Sequence, residues 1–258
     1  MNPRRLFGLS LICCAIATPA FADVTMKTKG GGTGMVGAAT GDMTQYIKGL
    51  KIRTDQTTGS GSQTTTIIDM GARQMIVLNH DAKQADVIDM ANMSDTLAKA
   101  GVSDVTTSIT PTTVTRQIAG HTCTVHDLKI AVPMQMGGNI KMTMVMSGPQ
   151  CLVKNAPGQA DYLAFYKAAS ENGGFFDVAQ VKTRPAAAKA MTDMYKKMAE
   201  LGVPFASEMK VGFEGTGPMA DMMKKMGNTI TTEVTSISTS PVAASLFDVP
   251  AGYKVTKR

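Results

Sequence analysis

Tryptophan is absent from this 258-residue chain, and there are only five tyrosines and eight phenylalanines. Aromatic rings therefore leave much of any core to other side chains. Histidine is as scarce, with His80, His121 and His126 alone. None of them falls in the HExxH spacing of a zinc protease, and no Gly-x-Ser-x-Gly elbow occurs. His121 and His126 would point to opposite faces of a regular strand. Asp and Glu are scattered too widely to single out an acid/base couple. The chain is read as non-enzymatic, with no cofactor and no metal site expected. No block of five or six basic residues is present, which argues against nucleic-acid binding. Beyond residue 22 no apolar run approaches 18 residues, so the mature chain is expected to lack a transmembrane segment.

The first 22 residues have the form of an export signal. Arg4-Arg5 supply a basic tip, Leu6–Ile16 an apolar run, and Ala20-Phe21-Ala22 a small-x-small cleavage triplet. The apolar run falls well short of the about 20 residues that span a bilayer. Ile12 before Cys13 lacks the small residue that lipid attachment requires. Cleavage would leave residues 23–258 as one domain in the periplasm or outside the cell, and lowers the net charge from +6 to +4. Two cysteines then remain, Cys123 and Cys151, and an oxidising compartment makes a disulfide their simplest state. Such a bridge is worth about 3–4 kcal/mol on the chain-entropy model.

The segments near 24–29, 44–54, 63–70, 73–78 and 85–90 read as strands of a half-wetted antiparallel sheet. Gly30-Gly31-Gly32-Thr33-Gly34 lacks the Gly-Lys-Ser/Thr ending of a phosphate loop and reads as a bend or strand end. A short helix over 92–100 precedes threonine-rich strand candidates at 105–107 and 112–117. The clearest sheet signal is the pair 123–132 and 140–146, turned at Gly137-Gly138-Asn139. Helices follow over 159–170 and from Pro185 to Leu201, with a shorter one from Pro218, before a strand over 230–238 and the tail 244–253. Helices set between sheet segments indicate one α+β domain.

Methionine is the compositional oddity, at 21 residues. Met142, Met144 and Met146 share one face of a strand. Met191, Met194 and Met198 share one face of a helix, as do Met222 and Met226 farther on. Three readings stay open. Thioethers fill irregular gaps in a core, or form a soft surface for a lipid or other apolar ligand, or offer soft sites to Cu(I). The corresponding functions are an apolar-ligand carrier, a structural protein docking on an envelope protein partner, and a copper-binding protein.

Ile118-Ala-Gly-His-Thr-Cys123, Ser147-Gly-Pro-Gln-Cys151, Ala156-Pro-Gly158, Phe213-Glu-Gly215 and Phe247-Asp-Val-Pro-Ala-Gly-Tyr253 resemble an exported bacterial family of unknown function. That family is related to the periplasmic lipoprotein-carrier superfamily. The resemblance implies a strongly curved antiparallel sheet, a half-barrel, with helices across its concave face and apolar cargo held between them. It supplies no catalytic residues.

Overall fold

The computed structural model describes residues 23–34, 40–59, 61–91, 105–136, 140–172, 185–225 and 227–258. The leader, the helix expected at 92–100 and the glycine turn at 137–139 lie outside these residues.

Strand β1 (Val24–Thr33) runs on through Gly30, Gly31 and Gly32 and ends at Thr33, so of the two expectations for this run, a bend or a strand end, it is the strand end. At Gly30 a Cβ would stand 2.2 Å from the Gly41 carbonyl oxygen, so the backbones approach too closely for any side chain. Then β2 (Asp42–Lys48), β3 (Lys51–Thr57), β4 (Gln63–Asp69), β5 (Gln74–Asn79) and β6 (Gln84–Asp89) form an antiparallel meander. The single strand expected over 44–54 is a hairpin that turns at Gly49, where φ is 56°. Its blurred alternation follows from that turn, because Ile47 pairs with Ile52 on one face and Tyr46 with Arg53 on the other.

β7 (Thr106–Ile118) unites the two threonine-rich candidates, with a register shift between Pro111 and Thr115. β8 (His121–Met136) and β9 (Ile140–Val153) extend the expected pair. Helices α1 (Gln159–Asn172) and α2 (Pro185–Leu201) follow. β10 (Val203–Gly215) and β11 (Asn228–Ser238) bracket α3 (Pro218–Lys225). A 3-10 turn at Ala244–Phe247 leads to β12 (Lys254–Lys257).

All twelve strands form one open sheet in the order β12-β6-β5-β4-β3-β2-β1-β11-β10-β9-β8-β7. Every pairing is antiparallel except β12 beside β6. This corrects the half-barrel implied by the resemblance: the sheet is neither closed nor strongly curved. The physical reason is that it carries packing on both faces, whereas a half-barrel buries its concave side alone. Both edges are blunted. β12 is short and bears Lys254 and Lys257. On β7, Pro111 lacks an N–H, Thr112 Oγ1 accepts the Val114 N–H at 3.1 Å, and Lys197 of α2 donates to the Thr107 carbonyl.

One face carries the helices. Tyr162, Phe165, Tyr166 and Ala169 of α1 are buried in a cluster with Val24, Met26, Ile47 and Ile52. Ala190, Met194 and Met198 of α2 are buried with Leu128, Ile130, Val132 and Leu152. The pairing of β10 with β11 ends at Ala206↔Glu233. The cluster that α1 fills draws on both sides of that division, taking Val203 and Phe205 as well as Val24 and Val234.

The opposite face of β2–β6 lies under the C-terminal segment, where Val242 and Phe247 are buried with Ile67, Leu78 and Ala85. Polar bonds fasten this strap. Arg53 Nη1 donates to the Leu246 carbonyl at 2.8 Å, and the Val242 N–H donates to Asp23 Oδ2 at 2.6 Å. Thr65 Oγ1 lies 2.5 Å from Asp55 Oδ1 and 2.8 Å from His80 Nε2. A carboxylate only accepts, so the threonine proton goes to Asp55 and Nε2–H donates to the hydroxyl. Nδ1 then accepts from the Tyr253 hydroxyl at 2.7 Å.

Candidate functional site

Around the tyrosines of α1 and α2 the described residues of the sheet–helix gap are closely packed. Tyr162 stacks on Tyr166 with ring centroids 4.4 Å apart, and Tyr195 of α2 stands 5.1 Å from Tyr166. Burial raises the pKa of all three phenols; Tyr162 is raised further by the neighbouring phenols, while Tyr166 is partly offset by hydrogen bonds from Tyr162 and Gln45. The space left beside these rings, Met198, Gly202 and Pro204 is about 10 Å³. That is room for about one water.

The methionines expected to form one apolar surface are divided. Met194 and Met198 are buried, and Met144, Met146 and Met191 pack half-buried against the same cluster. Met142 is 3% exposed and stands apart from that cluster, paired with Met134 and Gly215. Met222 is 53% exposed on α3, and Met226 lies outside the described residues. The helical stripe through Met222 implied a partner face, yet α3 is an eight-residue helix at a hairpin tip and leaves Met222 in solvent.

Cys123 and Cys151 form a disulfide with their Cα atoms 5.3 Å apart. It ties adjacent strands diagonally, since Cys151 lies opposite Val125. His126 is buried with Nδ1 at 2.9 Å from the Thr124 carbonyl oxygen. His121 packs edge-on against Phe205 at 5.4 Å. No group of three or more His, Cys, Asp or Glu side chains suited to a metal occurs among the described residues. No helix among them is long and apolar enough to cross a membrane.

On the side of β8 and β9 away from α2 lies a groove of about 420 Å³ that sequence reasoning missed; its Val125, Cys151 and Ala206 also belong to the buried cluster that α1 enters. Register builds it residue by residue. Lys29 of β1 lies opposite Glu233 of β11, Glu233 opposite Ala206 of β10, Ala206 opposite Cys151 of β9, and Cys151 opposite Val125 of β8. One row farther along, Gly31 lies opposite Thr231, and Thr231 opposite Glu208. Small or apolar residues (Gly31, Ala206, Val125, Pro149 and Cys151) share the lining with the polar Ser207, Glu208, Thr231 and Thr232. Arg116 closes one side, its Nη2 donating to Glu233 Oε2 at 3.0 Å.

Those two strands stand four places apart in the sheet order, a spacing of roughly 19 Å if flat. Arg116 nevertheless reaches Glu233, and β7 comes into contact with β11. Register shifts interrupt the pairing between these strands, in β7 between Pro111 and Thr115 and in β10 between Pro204 and Ala206. Gly31 leaves the groove open, because a Cβ there would meet only Thr231 Oγ1, at 3.4 Å. Two signals in the sequence pointed here. One is the glycine run; the other is Val203, Phe205, Met209, Val211 and Phe213 at alternate positions, which marks β10.

A family model described as Domain of unknown function (DUF4412) matches residues 33–147. The match covers β2–β8 and much of β9, leaving α1, α2, β10, β11 and the strap outside. Arg116 and Val125 of the groove fall within it, whereas Lys29, Glu208 and Glu233 do not. No curated protein matches the chain. Over less than half its length, then, this chain is similar to a domain to which no activity is attached.

Proposed function

We propose that this protein is a non-enzymatic, exported binding module whose ligand sits in the groove over β1 and β8–β11 while its methionines fill the core beneath the helices. The supporting observation is a contrast in space. The cavity beside Tyr162, Tyr166 and Tyr195 between sheet and helices measures about 10 Å³, and the groove over β1 and β8–β11 about 420 Å³, within the range of small-molecule sites. Export is supported by the leader-like first 22 residues, and it agrees with the disulfide.

Native mass spectrometry of gently purified protein tests this reading. A bound small molecule is expected on the wild type and on Met194→Leu, and its loss is expected on Gly31→Phe, which fills the groove from a position with room for a side chain. A wild type without adduct, or an adduct that survives Gly31→Phe, overturns it.

A further inference from the structure

We propose that the groove takes an amphipathic monoanion: a carboxylate held between Lys29 and Arg116, with a short apolar body laid over Val125, Pro149, Cys151 and Ala206. The inference rests on the reading of the groove as the binding site. One carboxylate, Glu233, stands between two cations, opposite Lys29 in register and bonded to Arg116. Lys29 has no ion-pair partner among the described residues. Glu208, the other acid of the groove, leans toward Lys210 at 4.0 Å.

The Arg116–Glu233 pair is about half exposed on both sides, 49% and 55%, so it is weak and open to exchange. A guanidinium presents several donors in a planar fork, and a second carboxylate can share them. The floor supplies what a bare anion would not need. An apolar stretch runs from Ala206 through Cys151 to Val125, with Pro149 beside it, and Glu233 and Thr231 separate it from Gly31. An anion with an apolar body uses both features, while an uncharged chain would use only the apolar one.

Titration calorimetry with octanoate, octan-1-ol and acetate, backed by amide shifts at Gly31 and Glu208, tests the ligand class. Octanoate is expected to bind, and the alcohol and acetate at least tenfold more weakly. Lys29→Gln should weaken octanoate about tenfold, the scale of one hydrogen bond to a charged group. Glu233→Gln should tighten it several-fold, because the competing carboxylate is gone; a merely structural role for Glu233 predicts no gain. Gly31→Phe should abolish binding.

Failure of octanoate to bind the wild type, equal binding of octanol or acetate, or weakening by Glu233→Gln each overturns the anion. If a native adduct is still lost on Gly31→Phe, the binding-groove reading survives that failure. Octanoate that binds wild type and Gly31→Phe alike places its site elsewhere and overturns the proposal.

Discussion

The imidazole of His80 stands edge-on to the ring of Tyr253, with Nδ1 2.7 Å from the phenolic oxygen, across 173 residues of chain. That bond ends a series running from Arg53 through Asp55, Thr65 and His80, and it holds the C-terminal strap where β12 joins β6. Tyr253→Phe removes the hydroxyl and leaves Nδ1 without its donor. A loss of about 1–2 kcal/mol is expected in urea unfolding. Hydrogen exchange should quicken at Lys254–Lys257, and unchanged protection there would show that the strap is held by its apolar anchors alone.

Acid should loosen the other end of the strap. Burial pushes the Asp23 carboxyl up, but bonds from Lys48 Nζ at 2.7 Å and from the Val242 N–H outweigh it and leave the pKa lowered. Asp69 is lowered in the same manner by Lys51 and the Ala72 N–H. A depressed carboxylate contributes stability that is present above its unfolded pKa of about 4 and is lost as pH falls through the folded value. Stability should therefore fall below about pH 4, and Asp23→Asn should flatten that limb of the curve.

Alkali acts on the helix side. Tyr162, Tyr166 and Tyr195 have raised pKa values because burial disfavours the phenolate, an effect opposed at Tyr166 by its hydrogen bonds. Their contribution is complete below the unfolded pKa of about 10 and is lost as pH rises toward the folded values. Phenolate absorbance should rise together with unfolding for these three rings. A gradual rise with the fold intact would contradict their close packing.

Methionine substitutions should sort by burial. Met194→Ala, in the α2 contact with Leu128 and Ile130, should cost about 2–5 kcal/mol. Met222→Ala, at 53% exposure, should change stability by less than about 0.5 kcal/mol. Thermal melts of the two variants check the contrast.

Removing the bridge with Cys123→Ala and Cys151→Ala should cost about 2–4 kcal/mol. Both sulfurs are buried. Reduction of the native protein should consequently be slow until denaturant is added.

Much of the secondary structure was legible because its signals are local. Leu128, Ile130 and Val132 alternate along β8, and Met191, Met194 and Met198 recur at helical spacing along α2. Where local signals mixed, the reading slipped. The turn at Gly49 hid between Ile47 and Ile52, and β10 was passed over although its odd-numbered residues alternate. Met222 shows the limit of a stripe, because spacing assigns a face to a helix without providing a surface to cover it. The groove was least legible, since Lys29, Arg116, Val125, Ala206 and Glu233 come from five strands.

From the sequence alone came the strands and helices with periodic side chains, the α+β class and the partner of Cys123, since Cys151 is the only other cysteine after residue 22. Tertiary structure decided that the sheet is open, that helices cover one face and the C-terminal strap part of the other, and that Arg116 meets Glu233. Periodicity records which side of its own strand a residue occupies. The order in which distant strands pair, and what then covers each face, depends on long-range contacts that no local pattern encodes.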